Sequence, residues 1–183
     1  MRGLVLDLRG NPGGLFKSAV EVAELFLHAG VIAVTHSHFP DYNQPYRARS
    51  MHPLELPVVV LIDADTASAA EVVAGALKEL RRATLIGQTT FGKGTIQCLV
   101  ALNKVPLDKM PAGIRITVAR FCSPSDQPVN GRGVTPDVVS GLEGKALLEQ
   151  AEAHLLGLIF PMAPNPMTPM PMPMPMAMAG MPR

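Results

Sequence analysis

The sequence predicts an α/β core of repeated strand–helix units, followed by a tail that builds no core. Three observations carry that prediction. Short aliphatic runs such as Pro57-Val58-Val59-Val60-Leu61-Ile62-Asp63 alternate with segments of helical periodicity. Clusters of Gly, Pro, Asn and Asp separate them. From Pro161 onward the composition changes abruptly: the last 23 residues hold eight prolines and eight methionines, an alternation that can neither continue a helix nor feed a sheet ladder.

Taken in order, residues 4–8 read as a buried strand. Arg9-Gly10-Asn11-Pro12-Gly13-Gly14 is a turn, where proline sets φ and the glycines admit left-handed geometry. Residues 15–28 place Phe16, Ala19, Val20, Ala23, Phe26 and Leu27 on one face, an amphipathic helix that Gly30 is expected to end. Residues 31–35 read as a second strand. Residues 36–56 are polar, with Pro40, Pro45 and Pro53, and read as loop with at most an edge strand. The β-branched run at 57–63 fits a central strand covered on both faces.

Residues 66–81 are alanine-rich, with Val72, Val73, Ala76, Leu77 and Leu80, and predict a mostly buried helix capped by Asp65 or Thr66. Residues 83–87, 95–102 and 114–121 read as further strands, with Gly92-Lys93-Gly94 breaking the chain after the first of them. Residues 130–136 form a turn-rich crossing, and residues 142–156 a last helix. The core is therefore expected over residues 1–160, and a disordered Met/Pro-rich tail over 161–183. The thioethers of that tail suit copper(I), but no spaced Met cluster, His or Cys supports a site there, and no metal or cofactor is expected.

Charge and composition exclude several functions. The chain of 183 residues has 16 basic and 15 acidic side chains, which gives no electrostatic footprint for nucleic acid. Aromatic content is 4% without tryptophan, which removes a stacking platform for bases. Two cysteines, Cys98 and Cys122, are too few for a disulfide framework; a single bridge between them stays open. No apolar run reaches the roughly 18 residues of a spanning helix, so no integral membrane segment is expected. A strand that begins almost at the first residue is expected of a core cut from a longer, N-terminally extended protein.

Chemistry has few places to reside. Ser68 follows the end of a buried strand and falls in the first turn of the expected helix, where free N–H groups favour a developing negative charge. Taken alone, it reads as a cap or a small packing residue. Gly87-Gln88-Thr89-Thr90-Phe91-Gly92-Lys93-Gly94 nearly matches the phosphate loop G-x-x-x-x-G-K-[ST]. Gly94 stands where a hydroxyl is required, however, and the next segment reads as a strand rather than a helix. His36-Ser37-His38 puts two imidazoles on one side of a strand, without a third ligand in view. No histidine falls in a metal motif, and no G-x-S-x-G elbow surrounds a serine. Asp7 and Arg9 flank the first turn and are positioned to pair.

Five ordered segments carry a resemblance: Leu6-Asp7-Leu8-Arg9-Gly10-Asn11-Pro12-Gly13-Gly14; Thr66-Ala67-Ser68-Ala69-Ala70-Glu71; Phe91-Gly92-Lys93-Gly94-Thr95-Ile96-Gln97; Thr117-Val118-Ala119-Arg120; and Gly133-Val134-Thr135-Pro136-Asp137. Together they resemble the catalytic core of the C-terminal processing peptidases, or tail-specific proteases, over about residues 3–139. The resemblance implies a crotonase/Clp protease-like α/β fold and a serine endopeptidase with a Ser–Lys dyad. Ser68 would be the nucleophile and Lys93 the general base, with Gln97 orienting the lysine. The oxyanion hole would use the N–H of Ala69 and one from Gly13 or Gly14. Glu71 would support the site or close a capping interaction. Ala70 stands where many members have a second serine.

A lysine takes a serine proton only when neutral, a form that burial of Lys93 by the strand and helix around Ser68 would favour. The implied partner is a protein substrate with an unstructured C-terminal tail. Complete members carry a PDZ region for that tail, which this sequence does not match. Members act in the bacterial periplasm or the chloroplast thylakoid lumen, and the resemblance implies one of those settings. The rival readings are a catalytically inactive scaffold or binding module of the same fold, and a nucleotide-binding domain using residues 87–94.

Overall fold

The computed structural model describes residues 1–102 and 113–161. The chain runs β1 (Leu4–Asp7), α1 (Phe16–Glu24), β2 (Val31–His36), a 3-10 turn (Pro40–Tyr42), β3 (Pro45–Arg47), β4 (Val58–Ile62) and α2 (Ala69–Glu79). It continues through β5 (Thr84–Gly87), β6 (Thr95–Ala101), β7 (Gly113–Cys122), β8 (Val138–Val139) and α3 (Gly144–Ile159). A parallel sheet has the order β1-β4-β5-β8, and a second, antiparallel sheet the order β3-β2-β7-β6. The first sheet is the expected strand–helix repeat. The separation of β2, β3, β6 and β7 into a sheet of their own was not expected. Of the expected tail, residues 162–183 lie outside the described residues.

β4 explains the layering. All five of its residues are buried, and the strand pleat sends alternate side chains to opposite faces. Val58, Val60 and Ile62 join the main core with α1, α2 and β2, while Val59 and Leu61 pack with Leu147, Ala151 and Leu155 of α3. α2 is enclosed: every residue from Ala69 to Leu77 is buried. A helix between two layers has no polar face to offer water, which accounts for its alanine content.

Several boundaries differ from the sequence expectation for physical reasons. α1 ends at Glu24, well before Gly30, because Leu25, Phe26 and Leu27 donate to carbonyls three residues back. That tighter turn carries Phe26 and Leu27 into the core, where they are 5% and 4% exposed. α2 starts at Ala69 and its N-cap is Ser68, not Asp65 or Thr66. β8 is two residues long, too short to leave a periodic signal. Cys98 and Cys122 are both free thiols. Cys98 pairs with Ile116, and Cys122 lies six residues further along β7, roughly 20 Å at about 3.3 Å per residue, so no bridge joins them.

Candidate active site

The site begins with the turn that carries Ser68 from β4 into α2. Thr66 anchors it: its hydroxyl donates to the Leu8 carbonyl at 2.8 Å, and its N–H donates to Asp63 Oδ1 at 2.9 Å. The same Asp63 carboxylate accepts the Gly10 N–H at 2.9 Å, and the Ala67 N–H bonds the Asn11 carbonyl at 2.9 Å. The Ser68 turn is thus tied to the turn after β1. Ser68 itself sits at φ +56°, ψ −118°, a conformation that costs a non-glycine residue on the order of 1–3 kcal/mol. Ser68 therefore stands just before the helix, on a strained elbow, rather than within its first turn. No G-x-S-x-G signature announces it.

Gly13 shows how closely the first turn approaches. It lies at φ +93°, and a Cβ there would stand 2.6 Å from the Ala67 carbonyl oxygen and 2.7 Å from the Ala69 nitrogen. Only glycine fits. Its N–H donates to Asn11 Oδ1 at 2.9 Å. Below the turn, the Asp7–Arg9 pair forms as expected, with Arg9 Nη2 2.6 Å from Asp7 Oδ2 and Arg9 Nη1 donating to the Gly144 carbonyl. The Arg9 hydrogen bond holds the Asp7 carboxyl below its ordinary value.

Glu71 is the centre of the arrangement. It is 1% exposed, and its carboxylate accepts four hydrogen bonds. Oε2 takes the N–H of Ser68 at 2.7 Å and of Lys93 at 2.8 Å; Oε1 takes the Thr90 hydroxyl at 2.5 Å and the Gly92 N–H at 2.7 Å. One oxygen therefore holds the backbone of both Ser68 and Lys93. The Lys93 loop is further clamped by the 130–134 crossing. Thr90 and Val134 exchange hydrogen bonds, the Gly131 N–H bonds the Gly92 carbonyl, and Asn130 Oδ1 accepts the Gly94 N–H. A Cβ on Gly133 (φ +69°) would lie 2.2 Å from the Thr90 carbonyl oxygen.

These contacts bear on the phosphate-loop reading. The N–H groups of Gly92 and Lys93 point at a buried carboxylate rather than outward at an anion. The segment that follows is β6, not a helix. Both features oppose a nucleotide site.

Ser68, Ala69, Lys93, Gln97, Gly13 and Gly14 all line one open cleft of about 490 Å³, within the usual range for a ligand site. Glu71 lies behind it. Leu15, Phe16, Ile96, Leu99 and Phe121 supply the apolar lining, with Phe16 stacked edge-on against Tyr46 at 4.9 Å between ring centroids. Burial, which would favour neutral Lys93, is not what the free chain provides: Lys93 is exposed, as is Gln97. The loop buries the backbone around Lys93 and leaves its side chain at the cleft rim. Sequence reasoning missed Asp63, Thr90 and Asn130. An Asp three residues before a Thr at a strand end was the available signal for the first; the other two act through long-range contacts with no local signature.

A profile of peptidase family S41 matches residues 1–140. A carboxy-terminal-processing protease of Bartonella bacilliformis is 40% identical over 140 residues, 76% of this chain and 31% of that protein. A chloroplastic C-terminal processing peptidase of Tetradesmus obliquus is 40% identical over 139 residues, 74% of this chain and 28% of that protein. Among solved structures, a photosystem II D1 C-terminal processing protease superposes with a TM-score of 0.64 at 39% identity, covering 76% of this chain and 35% of that one. The α/β fold is thus shared with these processing proteases. The chain belongs to peptidase family S41, and it spans about a third of the length of the relatives it matches.

Proposed function

We propose that this chain is the catalytic core of a serine endopeptidase that cleaves protein substrates near the C-terminus, with Ser68 as nucleophile and Lys93 as general base. The observation that carries the reading is the shared Glu71 oxygen, which holds the Ser68 elbow and the Lys93 loop together at the mouth of one cleft. In this mechanism Ser68 Oγ attacks the scissile carbonyl carbon as its proton passes to neutral Lys93 Nζ. The proton then goes to the departing amine, and water releases the acyl group by the same route in reverse. Gln97, on β6 four residues beyond Lys93, orients the lysine.

The developing oxyanion is met by the N–H of Ala69, the first helical residue of α2, where helix N–H groups lack intrahelical partners. The second donor is assigned to Gly14, since the Gly13 N–H already bonds Asn11 and Gly14 lines the cleft. Lys93 is exposed in the free chain, so its shielding from water falls to the substrate lying across the cleft. The substrate is a polypeptide with an unstructured C-terminal tail. The bacterial and chloroplastic relatives support a periplasmic or thylakoid-lumen setting.

The test is cleavage of an unstructured protein tail by the 183-residue chain, with the cut mapped by mass spectrometry. Ser68→Ala and Lys93→Ala are expected to abolish the cut while leaving the fold unchanged. Cleavage that persists in either variant overturns the assignment. Binding of the tail without cleavage by the unmutated chain favours the inactive-scaffold reading.

A further inference from the structure

Among the described residues, His36 and His38 are not grouped together as potential ligands. β2 ends at His36, and His36 reaches instead to the turn after β7, where its Nε2 lies 2.6 Å from Asp126 Oδ1. Cys122 ends β7 and pairs with Val34, two residues before His36. One potential ligand atom from each of His36, Cys122 and Asp126 lies within 4.8 Å of the other two. None of the three lines the Ser68 cleft.

The surroundings suit a bound ion. Asp126 adopts φ +61°, in a turn closed by its own N–H on the Ser123 carbonyl at 3.0 Å. Its carboxylate thereby comes to stand beside both His36 and Cys122. Cys122 is 8% exposed, and burial, seconded by the charge of Asp126, pushes its thiol up. A cysteine thiol ordinarily carries its proton at neutral pH, so an ion must displace it. Imidazole, thiolate and carboxylate are all zinc ligands, at about 2.0–2.3 Å. Sulfur disfavours calcium and magnesium, which take oxygen. A thiolate and a carboxylate also neutralise a dication, which matters with Arg120 opposite His36 across the ladder.

We infer that His36, Cys122 and Asp126 form a site for a zinc-class divalent cation, with three protein ligands and a fourth position left to water. On binding, the Cys122 S–H bond breaks, its electron pair goes to the metal and its proton to solvent. The ion joins β2 to the 123–127 turn, which also bonds α2 through the Ser125 N–H and Glu79 at 2.8 Å. That turn leads directly into the 130–134 crossing that clamps the Lys93 loop. The bland alternative is an exposed His36–Asp126 pair, each side chain 53% exposed, beside an inert cysteine.

The experiment uses the reduced, metal-free 183-residue chain. Cobalt(II) at one equivalent is expected to give near-ultraviolet thiolate-to-metal absorption that zinc(II) then bleaches. Cys98→Ser should keep that absorption, and Cys122→Ser should lose it. His36→Gln, at an exposed position that leaves folding intact, should weaken binding at least about tenfold. Zinc(II) should raise the melting temperature of the unmutated chain and not that of His36→Gln. No absorption at one equivalent, absorption that survives Cys122→Ser, unchanged affinity in His36→Gln, or absorption lost in Cys98→Ser each overturns the site. If Cys122→Ser fails to fold, His36→Gln decides.

Discussion

Replacing Glu71 with glutamine tests whether one buried carboxylate unites the site. The four donors divide into two pairs, Ser68 and Lys93 N–H on one oxygen, Thr90 hydroxyl and Gly92 N–H on the other. An amide offers one acceptor oxygen and one donor group. The better pose keeps the oxygen toward Ser68 and Lys93 and turns the NH₂ toward Thr90 and Gly92. The Thr90 hydroxyl can then accept, but its own proton loses its acceptor and the Gly92 N–H faces another donor. Each buried donor left unpaired costs about 1–3 kcal/mol, and the hydroxyl can turn to limit its share, so the loss is about 2 kcal/mol or more. Glu71→Gln should therefore lose about that much stability by urea unfolding and several degrees in melting temperature. Glu71→Ala leaves all four donors without their acceptor and should lose at least about 3 kcal/mol. Peptide cleavage by Glu71→Gln, measured where the variant is fully folded, should fall at least about tenfold, because the Ser68 elbow and the Lys93 loop no longer share a rigid anchor. Unchanged stability and cleavage in a folded Glu71→Gln chain would refute the reasoning. So would a loss of cleavage that merely tracks the unfolded fraction.

The remaining predictions concern the dyad, the glycines and the first turn. Ser68→Ala, Lys93→Ala and Lys93→Arg should each reduce turnover at least about 10³-fold, since arginine stays protonated and cannot act as a base; Gln97→Ala should cost less. Steady-state cleavage by folded variants checks this, and near-normal turnover in Lys93→Arg would remove Lys93 as the base. Gly133→Ala places a Cβ against the Thr90 carbonyl and should destabilise by roughly 2–4 kcal/mol. Gly13→Ala should instead displace the Ser68 elbow, so that cleavage falls more steeply than the urea midpoint. Asp7 has its folded value lowered by Arg9, so the pair contributes above the unfolded value near 3.9 and is lost as pH falls through the lower folded one. With Asp7 45% exposed, Asp7→Asn should cost less than about 1 kcal/mol at neutral pH. That difference should vanish in strong acid, as urea midpoints measured across pH would show.

Some of this protein is written in short stretches of sequence. The run at 57–63 could only be a covered strand, because five consecutive aliphatic residues leave no polar face, and β4 is buried throughout. The apolar spacing of α1 and the proline–glycine turn before it are equally local, and so is the phosphate-loop mismatch at Gly94. Family resemblance brought Ser68, Lys93, Gln97, Ala69, Gly13, Gly14 and Glu71 together, and the fold sets six of them on one cleft with Glu71 behind it. Tertiary structure decided the rest. The elbow at Ser68 exists because Glu71, Asp63 and Gly13 hold it there, through contacts that helix propensity does not encode. Lys93 is exposed because its loop is held by its backbone, Lys93 on Glu71 and Gly92 and Gly94 on the 130–134 crossing, with no side-chain anchor among the described residues. In the antiparallel sheet β2 and β7 pair across a large separation, His36 opposite Arg120. That pairing alone brings His36 beside Cys122 and Asp126, because proximity between distant residues is a property of the folded chain and not of any window along it.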